Sequence, residues 1–183
     1  NQPDKLSEIK SMKHKARKTE YGFSLLEVIV AIFIISIGII GAVNLMTYSI
    51  SSVAIAKSQI IAANLAQEGL EIVRGIRDGN WLEQRINPGI AWNDGLGAVD
   101  WRVQYNNPGL IAFADTFLQI NSNGFYGYSG IQGFSGTNSL FKRKITISDI
   151  TVDKEIKVIS EVTWSERGRN FKVDAEERLF NWK

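Results

Sequence analysis

No charged side chain occurs from Val28 to Ala56, a run of 29 residues, and its first part, Val28–Val43 (VIVAIFIISIGIIGAV), is almost continuously apolar. A helix needs about 20 mostly apolar residues to cross a bilayer, so this segment predicts a membrane-spanning helix near the amino terminus. The flanks give it a direction. Residues 1–22 hold six cations (Lys5, Lys10, Lys13, Lys15, Arg17, Lys18) against three acids (Asp4, Glu8, Glu20). On the other side Lys57 stands nearly alone before Arg74. The positive-inside rule then puts the amino terminus in the cytoplasm and the chain beyond about residue 50 outside it.

The remaining composition narrows the function classes. The chain has no cysteine, which removes disulfides, thiolate metal sites and cysteine nucleophiles together, and a single histidine, His14, which argues against His-dependent triads. The formal net charge is +2. Beyond residue 22 there remain 15 cations and 16 acids, so the basic excess belongs to the amino-terminal segment and nucleic acid is not an expected partner.

The helical pattern continues past the apolar run. From Thr47 to Arg77 a stripe of Ile50, Val53, Ile60, Ile61, Asn64, Leu65, Glu68, Leu70, Ile72, Val73 and Ile76 recurs at helical spacing, and no proline interrupts Phe23–Arg77. Asp78-Gly79 predicts the stop, with Arg74 and Arg77 suited to the carboxyl end of the dipole. A helix over 23–77 spans roughly 80 Å, half of it in lipid. After it the pattern changes. Residues 80–112, rich in Trp, Asn, Gly and Pro, read as a loop-rich connector with a short strand near Trp101–Tyr105. Phe141–Ser148 alternates with Phe141, Arg143, Ile145 and Ile147 on one side; Glu155–Trp164 places Ile156, Val158, Val162 and Trp164 on one face. Asn170–Phe180 is a last strand, joined to the preceding one by a tight Ser165–Arg169 turn containing Gly168. The expected fold is α+β: a three- or four-stranded antiparallel sheet whose buried face is covered by the outer half of the long helix.

The junction ahead of the apolar run reads Lys18-Thr19-Glu20-Tyr21-Gly22-Phe23-Ser24-Leu25-Leu26-Glu27. A basic leader, a glycine, an aromatic, a small polar residue, two aliphatics and a glutamate resemble the type IV prepilin signature. The resemblance implies cleavage by a membrane peptidase between Gly22 and Phe23 and N-methylation of Phe23, and it makes Glu27 the family's glutamate. Small Gly22 suits an extended passage through a peptidase cleft. Cutting before the apolar stretch leaves the anchor on the mature protein, the reverse of a secretory signal. Segments such as Asn64–Leu82 and Ile159–Lys183 further resemble minor pilins of the type IV pilus modification kind. The cysteine pair common in major pilins is missing, and Asn44 stands where major pilins commonly carry a helix proline.

The resemblance implies a type IV pilin-like fold divided as leader 1–22, membrane-spanning helix 23–50, outer amphipathic helix 51–78 and β-rich head 79–183. It implies a minor type IV pilin, not an enzyme, with no cofactor or metal. The alternatives are a pseudopilin of a type II secretion or DNA-uptake system and an unassembled single-pass adhesin or receptor. The implied partners are the prepilin peptidase, which would meet the leader cations Lys13, Lys15, Arg17 and Lys18, together with other pilin subunits, the inner-membrane assembly platform and membrane lipid. The implied location is the bacterial inner membrane, then an extracellular pilus. A carboxylate at the mouth of a membrane helix costs about 2–3 kcal/mol unless it is paired or near the interface. For Glu27 the resemblance implies the Phe23 ammonium of a neighbouring subunit as partner. An interfacial glutamate, or one paired with its own terminus, is the plain alternative.

Three weaker patterns remain. Gly124, Gly127, Gly130, Gly133 and Gly136 recur every third residue among Phe125, Tyr126, Tyr128 and Phe134, and read as an aromatic-glycine loop whose rings cover the core. Ser139–Lys142 fits S-x-x-K without its companion motifs and reads as chance. Asp149, Asp153 and Glu155 read as solvated turn acids, with a calcium site as the alternative.

Overall fold

The structure, a computed structural model, describes residues 22–182; the leader residues Lys13, Lys15, Arg17 and Lys18 lie outside them. One long helix, α1 (Leu25–Glu83), precedes seven strands: β1 (Asp100–Arg102), β2 (Ile111–Ala112), β3 (Phe117–Ile120), β4 (Tyr126–Gly127), β5 (Thr137–Thr151), β6 (Glu155–Glu166) and β7 (Arg169–Phe180). The chain falls into two compact units divided between Ser49 and Ile50.

In the first unit α1 is apolar and every described side chain is exposed. Two of its hydroxyls are satisfied within the helix. Ser36 Oγ donates to the Ile32 carbonyl at 2.7 Å and Thr47 Oγ1 to the Val43 carbonyl at 2.9 Å. This back-bonding lets hydroxyls sit in an apolar helix without an unmet polar atom.

The second unit holds the rest of α1 and an antiparallel sheet built on β5. β3 and β1 share one edge of β5 end to end, pairing near Lys142 and Ile145 respectively, and carry β4 and β2 outward. β6 runs along the other edge in register from Phe141↔Trp164 to Asp149↔Ile156, with a shift before Thr151↔Glu155, and β7 completes a hairpin with β6. The hairpin turn is Arg167-Gly168, with φ of 52° and 74°. Positive φ at both central positions is the type I′ geometry that matches strand twist, and Gly168 adopts it without steric cost. The expected sheet of three or four strands is therefore three long strands plus four short ones. The short ones come from the 100–127 segment; β1 lies by the short strand expected near Trp101–Tyr105, and the other runs, of two to four residues, carry too little alternation to be read.

Alternation on the long strands holds. Phe141, Arg143, Ile145 and Ile147 are buried on β5, and Ile156, Val158, Val162 and Trp164 on β6. The outer half of α1 covers this face, as expected, and Leu65, Leu70 and Val73 of the expected stripe are buried, with Ile61, Ile72 and Ile76 packed against the core. Ile50, Val53 and Ile60 are exposed, as is Asn64, whereas Ser58, Ala62, Leu65, Ala66, Gly69, Leu70, Val73 and Arg77 are buried. The reason is proximity: a Cβ on Gly69 would stand 2.5 Å from Ser160 Oγ and 2.8 Å from Ile145 Cδ1. The helix lies so close to the sheet that Ala62, Ala66 and Gly69 join Leu65, Leu70 and Val73 on its buried face.

The helix also ends later than expected, at Glu83 and not at Asp78-Gly79. Arg77 bonds Asp78 at 2.7 Å and lies over the Trp81 ring, while Asn80 Nδ2 donates to the Trp92 and Asp94 carbonyls at 3.1 and 2.9 Å. These contacts carry the backbone past Gly79. Turns follow, and Pro88 excludes Asn87 from further helix. The aromatic-glycine loop does cover the core, with Tyr128 and Phe134 buried, while Phe125 stacks outside on Tyr105 at 5.1 Å.

Candidate processing and assembly site

Gly22, Phe23 and Ser24 precede α1 in non-helical conformation, and the helix opens where the Val28 amide donates to the Ser24 carbonyl at 3.2 Å. Ser24 thus stands at the cap and Glu27 three positions on, in the first turn. This S-x-x-E spacing is that of a capping box, and a carboxylate here meets the positive end of the helix dipole. The spacing gives Glu27 a local role besides any partner, and it was legible in Ser24-Leu25-Leu26-Glu27 alone.

Gly22 is exposed, with open space where a Cβ would stand. Phe23 is 81% exposed, and Glu27 is exposed one turn into the helix. The peptide between Gly22 and Phe23 is sterically open, and the three residues lie together at the head of the apolar segment. That segment is long and apolar enough to cross a membrane, with a mean hydropathy of 2.7 over its most apolar window. Each large aliphatic side chain left in water forgoes about 1.5–3 kcal/mol. Gly38 and Gly41 are helical with free space at the Cβ position, so another helix can approach there.

A polar hub locks α1 to the sheet in the second unit. The Arg143 side chain is fully buried; Nη1 donates to the Leu65 carbonyl at 2.9 Å and Nη2 to the Val103 carbonyl at 2.7 Å, with Glu68 Oε2 at 3.4 Å. Tyr128 Oη donates to the Arg143 carbonyl at 3.2 Å, and Gln104 Oε1 accepts from the Tyr128 amide at 2.6 Å. Burial pushes the Tyr128 phenol above its ordinary value, against the pull of the Arg143 and Arg102 cations. Alternation had put Arg143 on the inner face. That it would be a hub could not be read, because its acceptors are carbonyls brought in from Leu65 and Val103. A second lock is the ion pair of Arg74 with Glu177 on β7, at 2.8 Å.

The other patterns do not assemble chemistry. Ser139 and Lys142 are three apart on β5 and so point to opposite faces. Ser139 Oγ accepts from the Phe141 amide, and Lys142 Nζ bonds Asp115 at 2.7 Å. Glu155 is paired with Arg178 at 3.0 Å, and Asp153 lends its main-chain carbonyl to the Trp92 indole. Among the described residues no three acidic or histidine side chains group as a metal set.

Residues 17–43 match the family model of the prokaryotic N-terminal methylation motif. The matched span contains Gly22, Phe23 and Glu27 and ends within the apolar run. No curated protein and no solved structure matches the chain.

Proposed function

Because residues 17–43 carry the N-terminal methylation motif of type IV pilin-like prepilins, we propose that the chain is a minor type IV pilin, a structural filament subunit made as a membrane-anchored precursor. The motif is the observation that carries the reading. Its glycine, aromatic and glutamate stand directly before an apolar helix that has no burial of its own. Prepilin peptidase cuts between Gly22 and Phe23, Phe23 is N-methylated, and the anchored subunit leaves the inner membrane for the pilus with other pilins. The domain division follows: leader to Gly22, membrane-spanning helix to residue 50, then a helix that covers a sheet. The missing cysteine pair and the Asn44 position favour a minor over a major subunit.

Mass spectrometry of the mature protein tests processing. The expected product starts at methylated Phe23, and Gly22→Val is expected to remain full-length in the membrane. A mature membrane protein that retains the leader overturns the reading. Shearing tests assembly: the protein is expected in sheared pili, and its restriction to the membrane fraction would indicate an unassembled surface protein.

A further inference from the structure

The β6–β7 hairpin reaches α1 near where the apolar run gives out. Arg167 in its turn donates from Nη1 to the Ser51 hydroxyl; both residues belong to the unit that begins at Ile50. Arg169 follows across the turn, opposite Glu166, and both arginines are exposed. They differ from the other cations of the hairpin. Lys172 is answered by Glu161 and Asp174, Arg178 by Glu155, and Lys157 by Glu176. No carboxylate among the described residues pairs with Arg167 or Arg169. The helix supplies no charge of its own between Glu27 and Lys57.

The position of Ser51 along α1 says what these cations meet. It stands 26 positions after Leu25, about 39 Å along a helix rising 1.5 Å per residue. A hydrocarbon core is about 30 Å thick, and about 40–45 Å with its headgroup layers. With Leu25 at the inner edge of the core, the outer headgroup layer ends about 35–38 Å away, just short of Ser51. A tilt of about 20° lowers Ser51 to about 37 Å, the level of the outer headgroups. Tyr48, 71% exposed one turn earlier, is the kind of aromatic that membrane interfaces favour.

We propose that the hairpin tip is a lipid-headgroup contact, in which Arg167 and Arg169 bind phosphates of anionic lipids while the chain is membrane-anchored. This rests on α1 being the anchor, as the proposed function has it. The guanidinium fork suits phosphate oxygens, and assembly into a filament would have to break the contact.

The chain has no cysteine, so Asn170→Cys gives a unique labelling site on the exposed end of β7. The full chain, carrying a fluorophore there, is reconstituted in phosphatidylcholine vesicles with or without phosphatidylglycerol. A water-soluble quencher then reads access to the label. Phosphatidylglycerol is expected to shield it, with the docked-to-free ratio falling about five-fold for each arginine removed, and added salt is expected to reverse the shielding. Arg167→Asn keeps the turn, since Asn-Gly is the preferred type I′ pair, so its effect reports charge and not unfolding. Ser51→Ala removes a hydroxyl only and is expected to keep the lipid dependence. Quenching that ignores lipid composition, or shielding that survives Arg167→Asn with Arg169→Gln, overturns the contact alone. A chain that floats with neither vesicle overturns the anchor and the contact with it.

Discussion

Gly69 shows how one missing side chain sets the spacing of a whole layer. Its place opposite Ser160 and Ile145 leaves no room for a methyl group, although alanine is the better helix former by about 1 kcal/mol. Gly69→Ala is expected to destabilise the fold by about 1–3 kcal/mol through overpacking. Adding Ser160→Gly should recover much of the loss, because the closest contact is the serine hydroxyl. Additive melting shifts for the pair would show that the two residues do not collide. Tyr128 makes a second residue-scale prediction. Its folded pKa is raised above the ordinary value of 10.0, mainly by burial. The stability it contributes is complete below pH 10 and is lost as pH rises through the raised value. Tyr128→Phe should lower the melting temperature at neutral pH, by the worth of one hydrogen bond, about 1 kcal/mol. It should also flatten the alkaline decline. Thermal melts followed by fluorescence of the buried Trp92 and Trp164 check both, and an unchanged alkaline slope would remove Tyr128 from the account.

At the scale of elements, α1 does two jobs along one continuous helix. Ahead of Ile50 its described side chains are exposed; beyond it, Ala62, Ala66 and Gly69 with Leu65, Leu70 and Val73 seat the helix on the sheet. A fragment starting at Ile50 is therefore expected to fold and stay monomeric, because Ala62, Leu65, Ala66, Leu70 and Val73 still cover β5 and β6. A fragment starting at residue 84 bares that face, including Val158 and Val162, and should aggregate. Size-exclusion chromatography distinguishes the two, and a well-behaved monomer from residue 84 onward would show that the sheet needs no helix.

For the molecule as a whole, the apolar helix of the first unit is exposed along its described residues. On the proposed function, lipid buries it before assembly and the helices of neighbouring subunits bury it in a filament. Glu27 lies at the entrance to that helix. Glu27→Val removes its charge and leaves the apolar run intact, so insertion and cleavage after Gly22 should persist. If, as the proposed function implies, Glu27 pairs with a neighbour's Phe23 ammonium where water is scarce, the processed protein should accumulate in the membrane and be depleted from sheared filaments. Glu27→Gln separates this from the capping role. It keeps a side chain that can serve a capping box, so a Gln variant that enters filaments like wild type would mean that Glu27 acts locally.

Patterns with a single period were legible without tertiary structure. The uncharged apolar run, the methylation motif of residues 17–43, and the alternation of β5, β6 and β7 each depend only on neighbours along the chain. So did the inward placement of Arg143, since a period of two decides the face. What the sequence could not decide was which helix stripe would be buried. A rule that seeks large aliphatics finds Leu65, Leu70 and Val73, which are buried, but also Ile50, Val53 and Ile60, which are not, and it passes over Ala62, Ala66 and Gly69, which the closeness of sheet to helix selects. Nor could it decide that α1 continues through Gly79, because the acceptors that hold Asn80 are carbonyls of Trp92 and Asp94. Local chemistry determined where elements begin and which faces alternate; distances between elements, which exist only once the chain is packed, decided the rest.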